Sequence, residues 1–335
     1  MEQSSRLRQF LFAACIGFIS GALFTWIVGD LDAAHYVVEL LSIGPLEIPF
    51  IVAGAVLVRR SLWGPGLAYA LVGTVASLLM SIPERSITPI VFLKIAAMGV
   101  IIGEARLFGR SFTGKLSAAS VPGFILAWVF GLQLIIAGVS SETISEIRQE
   151  ALDMYQAFMS MDNAVNAVDN AMALFNGFFR LGIGIISMSS LILSWLAFHV
   201  TRFVLARMKI ESEEIPPLHA FAVPFHAIWL FLIGLALYLI DYQPIHPIAV
   251  NVVFVMAGLY GIQGLAVVTY HMRRISFGFW PRIIFWLIFF ITLTFSVFIL
   301  LITGILDNWI DLRSLPLPND KGVPEEEEKN NEGDS

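Results

Sequence analysis

The stretch SETISEIRQEALDMYQAFMSMDNAVNAVDNAMALF, Ser141 to Phe175, is the one long amphipathic segment between otherwise continuous hydrophobic runs. Small or apolar residues fall at Ile144, Ile147, Ala151, Met154, Phe158, Met161, Val165, Val168, Met172 and Phe175, with spacings that alternate between three and four. That is a heptad seam on a helix. Glu142, Glu146, Arg148, Glu150, Asp153, Asp162 and Asp169 lie between these positions, so the opposite face is wet. As one continuous helix the segment would be about 50 Å long at 1.5 Å per residue, too long and too charged for a bilayer core. It predicts a helix on or beside a membrane, separating two clusters of spans.

The remainder of the chain agrees with a membrane setting. At 57% hydrophobic and 14% charged, with 27 Phe and 8 Trp, it is not an ordinary soluble protein. The apolar runs are continuous and near 20 residues long, which fits helical spans and excludes the alternating pattern of a β-barrel. Cys15 stands alone, so no disulfide framework exists. Basic residues occur in ones and twos at span ends, which offers no nucleic-acid surface.

We predict an all-α, polytopic membrane protein of about nine transmembrane helices plus one long extracytoplasmic amphipathic helix. Residues 1–140 form a five-span part, 141–176 the heptad helix and 177–210 a sixth span. Residues 211–313 form a three-span part and 314–335 an acidic, disordered tail. Arg6 and Arg8 precede an uncleaved first helix. Gly17-x-x-x-Gly21 on it either permits close helix contact or is incidental small-residue packing. The second span is interrupted by Gly44-Pro45 and Pro49. The seventh runs from about Phe221 to Ile240, and the ninth from about Arg282 to Leu306.

Charge distribution sets the orientation. Arg6, Arg8, Arg59, Arg60, Arg106, Arg110, Lys115, Arg202, Arg207, Lys209, Arg273, Arg274 and Arg282 fall at one set of span ends. Only Arg85, Arg148, Arg313, Lys321 and Lys329 fall at the other. This positive-inside bias puts the amino end in the cytoplasm and both the heptad helix and the tail outside.

Ionisable residues within spans are expensive and are candidate site residues. Glu47 lies at the proline break of the second span and Lys94 within the fourth. Taken as antiparallel neighbours, the two can pair. The pair either lines a polar pocket for a solute or proton, or locks two helices as a structural ion pair. Arg180, at the outer start of the sixth span, either reaches the same cavity or snorkels to the interface. His219 and His226 flank Pro224 and lack the short, one-face spacing of metal ligands. No metal site, catalytic constellation or cofactor motif is expected. The seam residues Ile144, Ile147, Met154, Phe158, Met161, Val165 and Val168 either pack back on their own bundle or form an interface with a second copy or an envelope protein.

Two stretches carry a resemblance. Gln263-Gly264-Leu265-Ala266-Val267-Val268, and Asp307-Asn308-Trp309-Ile310-Asp311-Leu312-Arg313 with Gly304 before it, resemble the closing pattern of the YybS-like family. These are bacterial multi-pass membrane proteins carrying a domain of unknown function. The layout of the first six spans is also similar to the S component of energy-coupling-factor transporters, which implies a small-molecule pocket open to the outside. Asp307, Trp309, Asp311 and Arg313 read as a helix-end cap and interface anchor, with Arg313 pairing back locally. The expectation is a non-enzymatic, inner-membrane protein that contacts lipids and binds, or moves, a small solute through a pocket lined by Glu47, Lys94 and Arg180. The alternative is a scaffold that dimerises or recruits envelope partners through residues 141–176.

Overall fold

The computed structural model describes residues 2–29, 33–61, 63–81, 86–105, 112–137, 161–210, 216–240, 245–274 and 278–313, with isolated positions between 145 and 153 and at 242. Among them are eleven α-helices and no strand. In order these are α1 (Glu2–Val28), α2 (Ala33–Ser61), α3 (Trp63–Met80), α4 (Thr88–Gly103), α5 (Phe112–Ala137) and α6 (Met161–Arg180). There follow α7 (Gly182–Arg207), α8 (Ala227–Tyr238), α9 (Ile245–Arg274), α10 (Phe279–Ile291) and α11 (Leu293–Ile310), with a 3-10 turn at Leu218–Ala220. Four helices are long and apolar enough to cross a membrane by length and composition, or five if α10 and α11 count as one bent span. Each expected span overlaps at least one helix, the ninth overlapping that pair. The all-α membrane fold is therefore as the hydrophobic runs require, while the count of nine crossings is not fixed by helix length alone.

Packing divides the chain into two compact units, Met1–Pro216 with His226–Gly258, and Pro217–Phe225 with Leu259–Ser335. In the first unit, glycines set the helix contacts. A Cβ on Gly17 would come within 2.5 Å of the Tyr69 carbonyl, and one on Gly21 would strike the carbonyl of Gly73. The Gly17-x-x-x-Gly21 motif is thus a true close approach of α1 and α3, not incidental packing. Gly99 sits within 2.5 Å, by the same construction, of the Ile51 carbonyl, and Gly103 within 2.8 Å of that of Ala55. Successive turns of α4 therefore meet successive turns of α2 in the same order. The two helices run parallel, which corrects the antiparallel reading of Glu47 and Lys94. Large side chains on the outside, such as Trp26 at 75% exposure and Leu239 at 77%, form a surface suited to lipid and not to water.

Four details differ from the sequence reading. First, α2 is helical through both Pro45 and Pro49. The turns beyond Pro49 are clamped on α4, and a proline in a packed membrane helix bends the backbone without ending it. Second, only Ala227–Tyr238 of the seventh expected span is helical, while Phe221 is extended at φ −69°, ψ 127°. Pro224 disfavours helical backbone at the residue before it and removes its own donor.

Third, the ninth expected span is two helices inclined at 108°. Thr292 leaves helical geometry at φ −102°, ψ 32°, and its hydroxyl donates to the Ile288 carbonyl at 2.8 Å. Such hydroxyls compete with the backbone ladder and bend helices without any proline. Fourth, Arg148 and Asp169 form an exposed ion pair at 2.8 Å. One straight helix would hold them roughly 30 Å apart. Residues 141–176 are therefore not a single rod, and α6 is a separate element of this stretch. The acidic tail beyond 313 lies outside the described residues.

Candidate functional site

Glu47 stands at the midpoint of α2, between Pro45 and Pro49. Lys94 is one turn and a half into α4, and the parallel register that places Gly99 on Ile51 carries Lys94 to Glu47 one turn earlier. The ammonium donates to both carboxylate oxygens, at 2.8 Å and 2.6 Å. Glu47 is 0% exposed and Lys94 4%. Burial of this depth makes the pair energetically demanding, because two ions leave water and must recover that cost from their mutual attraction and from hydrogen bonds within the protein. Aromatic rings wall off the neighbouring turns. Phe24, Phe50 and Phe92 lie with centroids 5.4 to 6.3 Å apart, and Tyr69 adds its ring 6.1 Å from Phe92. The Tyr69 hydroxyl donates to the Phe50 carbonyl at 2.9 Å, one turn from Glu47. Sequence reading missed this tyrosine, since an aromatic in a span carries no signal of its own.

Arg180 does not join the pair. It is exposed at the end of α6, and its carbonyl accepts from the Asn251 amide at 2.7 Å. An exposed guanidinium and a fully buried carboxylate do not form one triad. A cleft of about 620 Å³ opens on the other side of Pro49, between α1, α2 and α7, lined by Phe12, Ile16, Val52, Val56 and Val204 with Arg8 at its edge. Neither Glu47 nor Lys94 lines it.

On the amphipathic segment, Val168 is 0% exposed and Val165 half-buried, so the seam packs within its own chain at these points. Met161 opens α6. Ile144, Ile147, Met154 and Phe158 lie outside the described residues.

A second polar cluster lies in the smaller unit, and it contains the residues of the closing pattern. Gly264 and Gly304 bring α9 and α11 into antiparallel contact: a Cβ on either would run into the carbonyl of Leu300 or of Tyr260. Gly261, in contrast, faces open space. This approach seats the Gln263 amide between two elements. Its nitrogen donates to Asp307 at 2.7 Å and Asn308 at 3.0 Å, and its oxygen accepts from the Val223 N–H at 3.0 Å. Arg313 turns back on Asp307 with contacts at 2.6 and 3.3 Å, and donates to the carbonyls of His219 at 2.9 Å and Phe221 at 2.7 Å.

The turn that allows this is Asp311, left-handed at φ 46°, whose N–H donates to the Asp307 carbonyl. Asp311 therefore ends the helix, as a helix-end cap does. Trp309 is exposed and meets Phe225 edge-on at 6.2 Å, as an interface anchor does. The network supplies donors and acceptors to a non-helical stretch that, in lipid, must have its backbone satisfied by protein.

Comparison with known proteins adds the family. Residues 34–308 match the family model described as "Predicted membrane protein (DUF2232)". The chain belongs to this family. The match runs from the start of α2 to Asn308 within α11, so it includes Glu47, Lys94, Gln263 and Asp307, consistent with the resemblance carried in part by Gln263, while Arg313 lies beyond it. The family's function is unknown, so it assigns no role to any residue. No curated protein matches the chain, and no solved structure matches it either, so nothing supports the likeness to transporter S components.

Proposed function

We propose that this chain is a solute-binding protein of a bacterial inner membrane, and that the Glu47–Lys94 pair is its working element. The observation that carries the reading is a fully enclosed carboxylate–ammonium pair at the midpoint of a helix flanked by two prolines. Two helices packed through glycine contacts do not need ions to hold them. Apolar residues of similar volume serve that purpose as well or better. A charged pair in this position is suited instead to exchange: a solute bearing its own charge replaces one partner, and the proline-bearing helix accommodates the opening.

The Lys/Arg distribution supports a cytoplasmic amino end, with residues 141–176 and the tail outside. Arg180, exposed as it is, takes no part in this proposal. No catalytic group is assigned, and the protein is read as a binder, not an enzyme.

The test is a thermal-stability screen of the detergent-purified protein against charged and zwitterionic small solutes. It includes the variant carrying Glu47→Leu and Lys94→Met together, which removes both charges and leaves no buried ion behind. A solute that stabilises the native protein but not this variant is expected. Equal stabilisation of both, or none of either, rejects the reading. A partner protein retained by the native chain and lost when residues 141–176 are deleted would favour the scaffold role instead.

A further inference from the structure

The smaller unit holds a cavity of about 180 Å³, lined by Leu218, His219, Thr269, Met272, Arg273 and Trp286. It lies where the 3-10 turn, the last turns of α9 and the middle of α10 meet. Its composition separates it from the other clefts. It brings a guanidinium, an imidazole and a hydroxyl together, and no carboxylate lines it. Arg273 has no hydrogen-bond or ion-pair partner among the described residues, and Asp307 is engaged by Arg313. The His219 backbone is held by Arg313, which donates to its carbonyl at 2.9 Å, and the Tyr270 ring lies 6.5 Å from the imidazole. Both arginine charges act on the imidazole, and together with burial they hold its pKa below the ordinary value of 6.5. The ring is therefore neutral at physiological pH, and the site's positive potential is unspent. The volume is below the 300–1,000 Å³ or so of drug-sized pockets, and suits a single small anionic group.

We propose that this cavity binds a phosphate group, with Arg273 as the charged donor, the His219 ring as the second donor and Trp286 as the apolar wall. A planar guanidinium matches two phosphate oxygens at once, which a lysine in that position would not. The bend at Thr292 is what places Trp286 there, because it turns α10 away from the line of α11. The flank of α10 presents Phe279, Trp280, Leu287 and Phe290 outward, the arrangement of a helix lying in a headgroup layer. The phosphate can thus belong to a lipid headgroup or to a soluble ion. This site lies in a different unit from Glu47 and Lys94, so it stands or falls apart from the proposed solute role.

The experiment uses the full chain in maltoside micelles and phosphate-free buffer at constant ionic strength. Melting temperature is followed against inorganic phosphate in one arm. In the other it is followed against micelles doped with a short-chain phosphatidic acid, with the matching diacylglycerol as control. Stabilisation by the phospholipid alone assigns a headgroup site, and stabilisation by inorganic phosphate assigns a soluble anion; either supports the proposal. Arg273→Gln should weaken the apparent affinity at least about tenfold, as loss of a charged hydrogen-bonding group does. Arg273→Lys should weaken it less, and the neighbouring Arg274→Gln should change it less than about twofold. His219→Gln provides a second route to loss should Arg273→Gln fold poorly. Absence of stabilisation by either phosphate source, or equal effects of Arg273→Gln and Arg274→Gln, overturns it.

Discussion

Replacing Lys94 by Met, with Glu47 left in place, is the most informative perturbation of this fold. At 2.6 to 2.8 Å, and with an effective dielectric constant of about 20, two unit charges attract by about 6 kcal/mol. The desolvation of both ions offsets most of that, so the pair as a whole adds little to stability. Removing one partner is different, because the buried carboxylate keeps its desolvation cost and loses the ammonium that donates to both of its oxygens. The expected destabilisation is about 3–5 kcal/mol. Adding Glu47→Leu to Lys94→Met removes the orphan charge and should bring stability back to within about 1–2 kcal/mol of the native protein, or above it. The assay is reversible unfolding of the purified protein in mixed micelles, followed by far-ultraviolet circular dichroism. A cost below about 1 kcal/mol for Lys94→Met would mean that water reaches Glu47, and the enclosed pair would be refuted. A double variant as unstable as the single one would refute the pairing itself, because each residue would then be stabilised by something other than its partner.

Arg313→Gln should cost about 3–5 kcal/mol, since it strands the buried Asp307 and leaves the carbonyls of His219 and Phe221 without donors. Limited proteolysis should then cut within residues 217–225, and unchanged protection would argue against the clamp. Gly304→Ala should destabilise by at least about 1–3 kcal/mol by pushing α11 off the Tyr260 carbonyl, whereas Gly261→Ala, facing open space, should be neutral or gain up to about 1 kcal/mol from helix propensity. Arg148→Gln should change stability by no more than about 1 kcal/mol, because its pair with Asp169 is exposed. For His219, burial first and the two arginine charges second hold the folded pKa below 6.5. The unfolded chain therefore binds the proton more tightly. The stability this group supports is full above pH 6.5, declines as pH falls from there towards the lower folded value, and should no longer decline in His219→Gln.

Much of the fold is legible in the residue pattern because a bilayer enforces one rule on every span. An apolar run near 20 residues must satisfy its own backbone, and a helix does that locally. For the same reason Glu47 with Lys94 could be paired on paper: ions in spans are few, and few partners exist for either. A local pairing of Arg313 was legible too, though not that Asp307 is the acid it turns back on. What remained hidden depends on contacts remote in sequence or on competition within one turn. Nothing in the pattern tells that two further donors of Arg313 reach carbonyls more than ninety residues earlier. Pro224 hinted at non-helical backbone, but not that Gln263 and Arg313 would satisfy part of it. The bend at Thr292 has no proline or glycine to announce it. Of the heptad seam from Ile144 to Phe175, Val168 is buried and Val165 half-buried, as the spacing requires at those positions. Spacing carries no information on whether successive windows share an axis, and the Arg148–Asp169 contact shows that they do not.

The two buried ion pairs separate structural from functional charge more sharply than burial alone. Arg313 and Asp307 are tied to a specific need, since the chain from the 3-10 turn through the non-helical residues 221–223 has carbonyls and N–H groups that require partners within the protein. Any substitution there must replace several hydrogen bonds at once, and no pair of apolar residues can do that. Glu47 and Lys94 sit instead on two uninterrupted helices. An apolar replacement of both can leave those ladders intact, so the fold tolerates the loss of the charges that a binding role cannot. The contrast makes a prediction across the two sites. Neutralising both partners should be tolerated in the first unit and not in the second. If the Asp307→Leu, Arg313→Met double variant proves as stable as the Glu47→Leu, Lys94→Met one, the charges at 307 and 313 are not there to hold the backbone, and the distinction drawn between the two pairs fails.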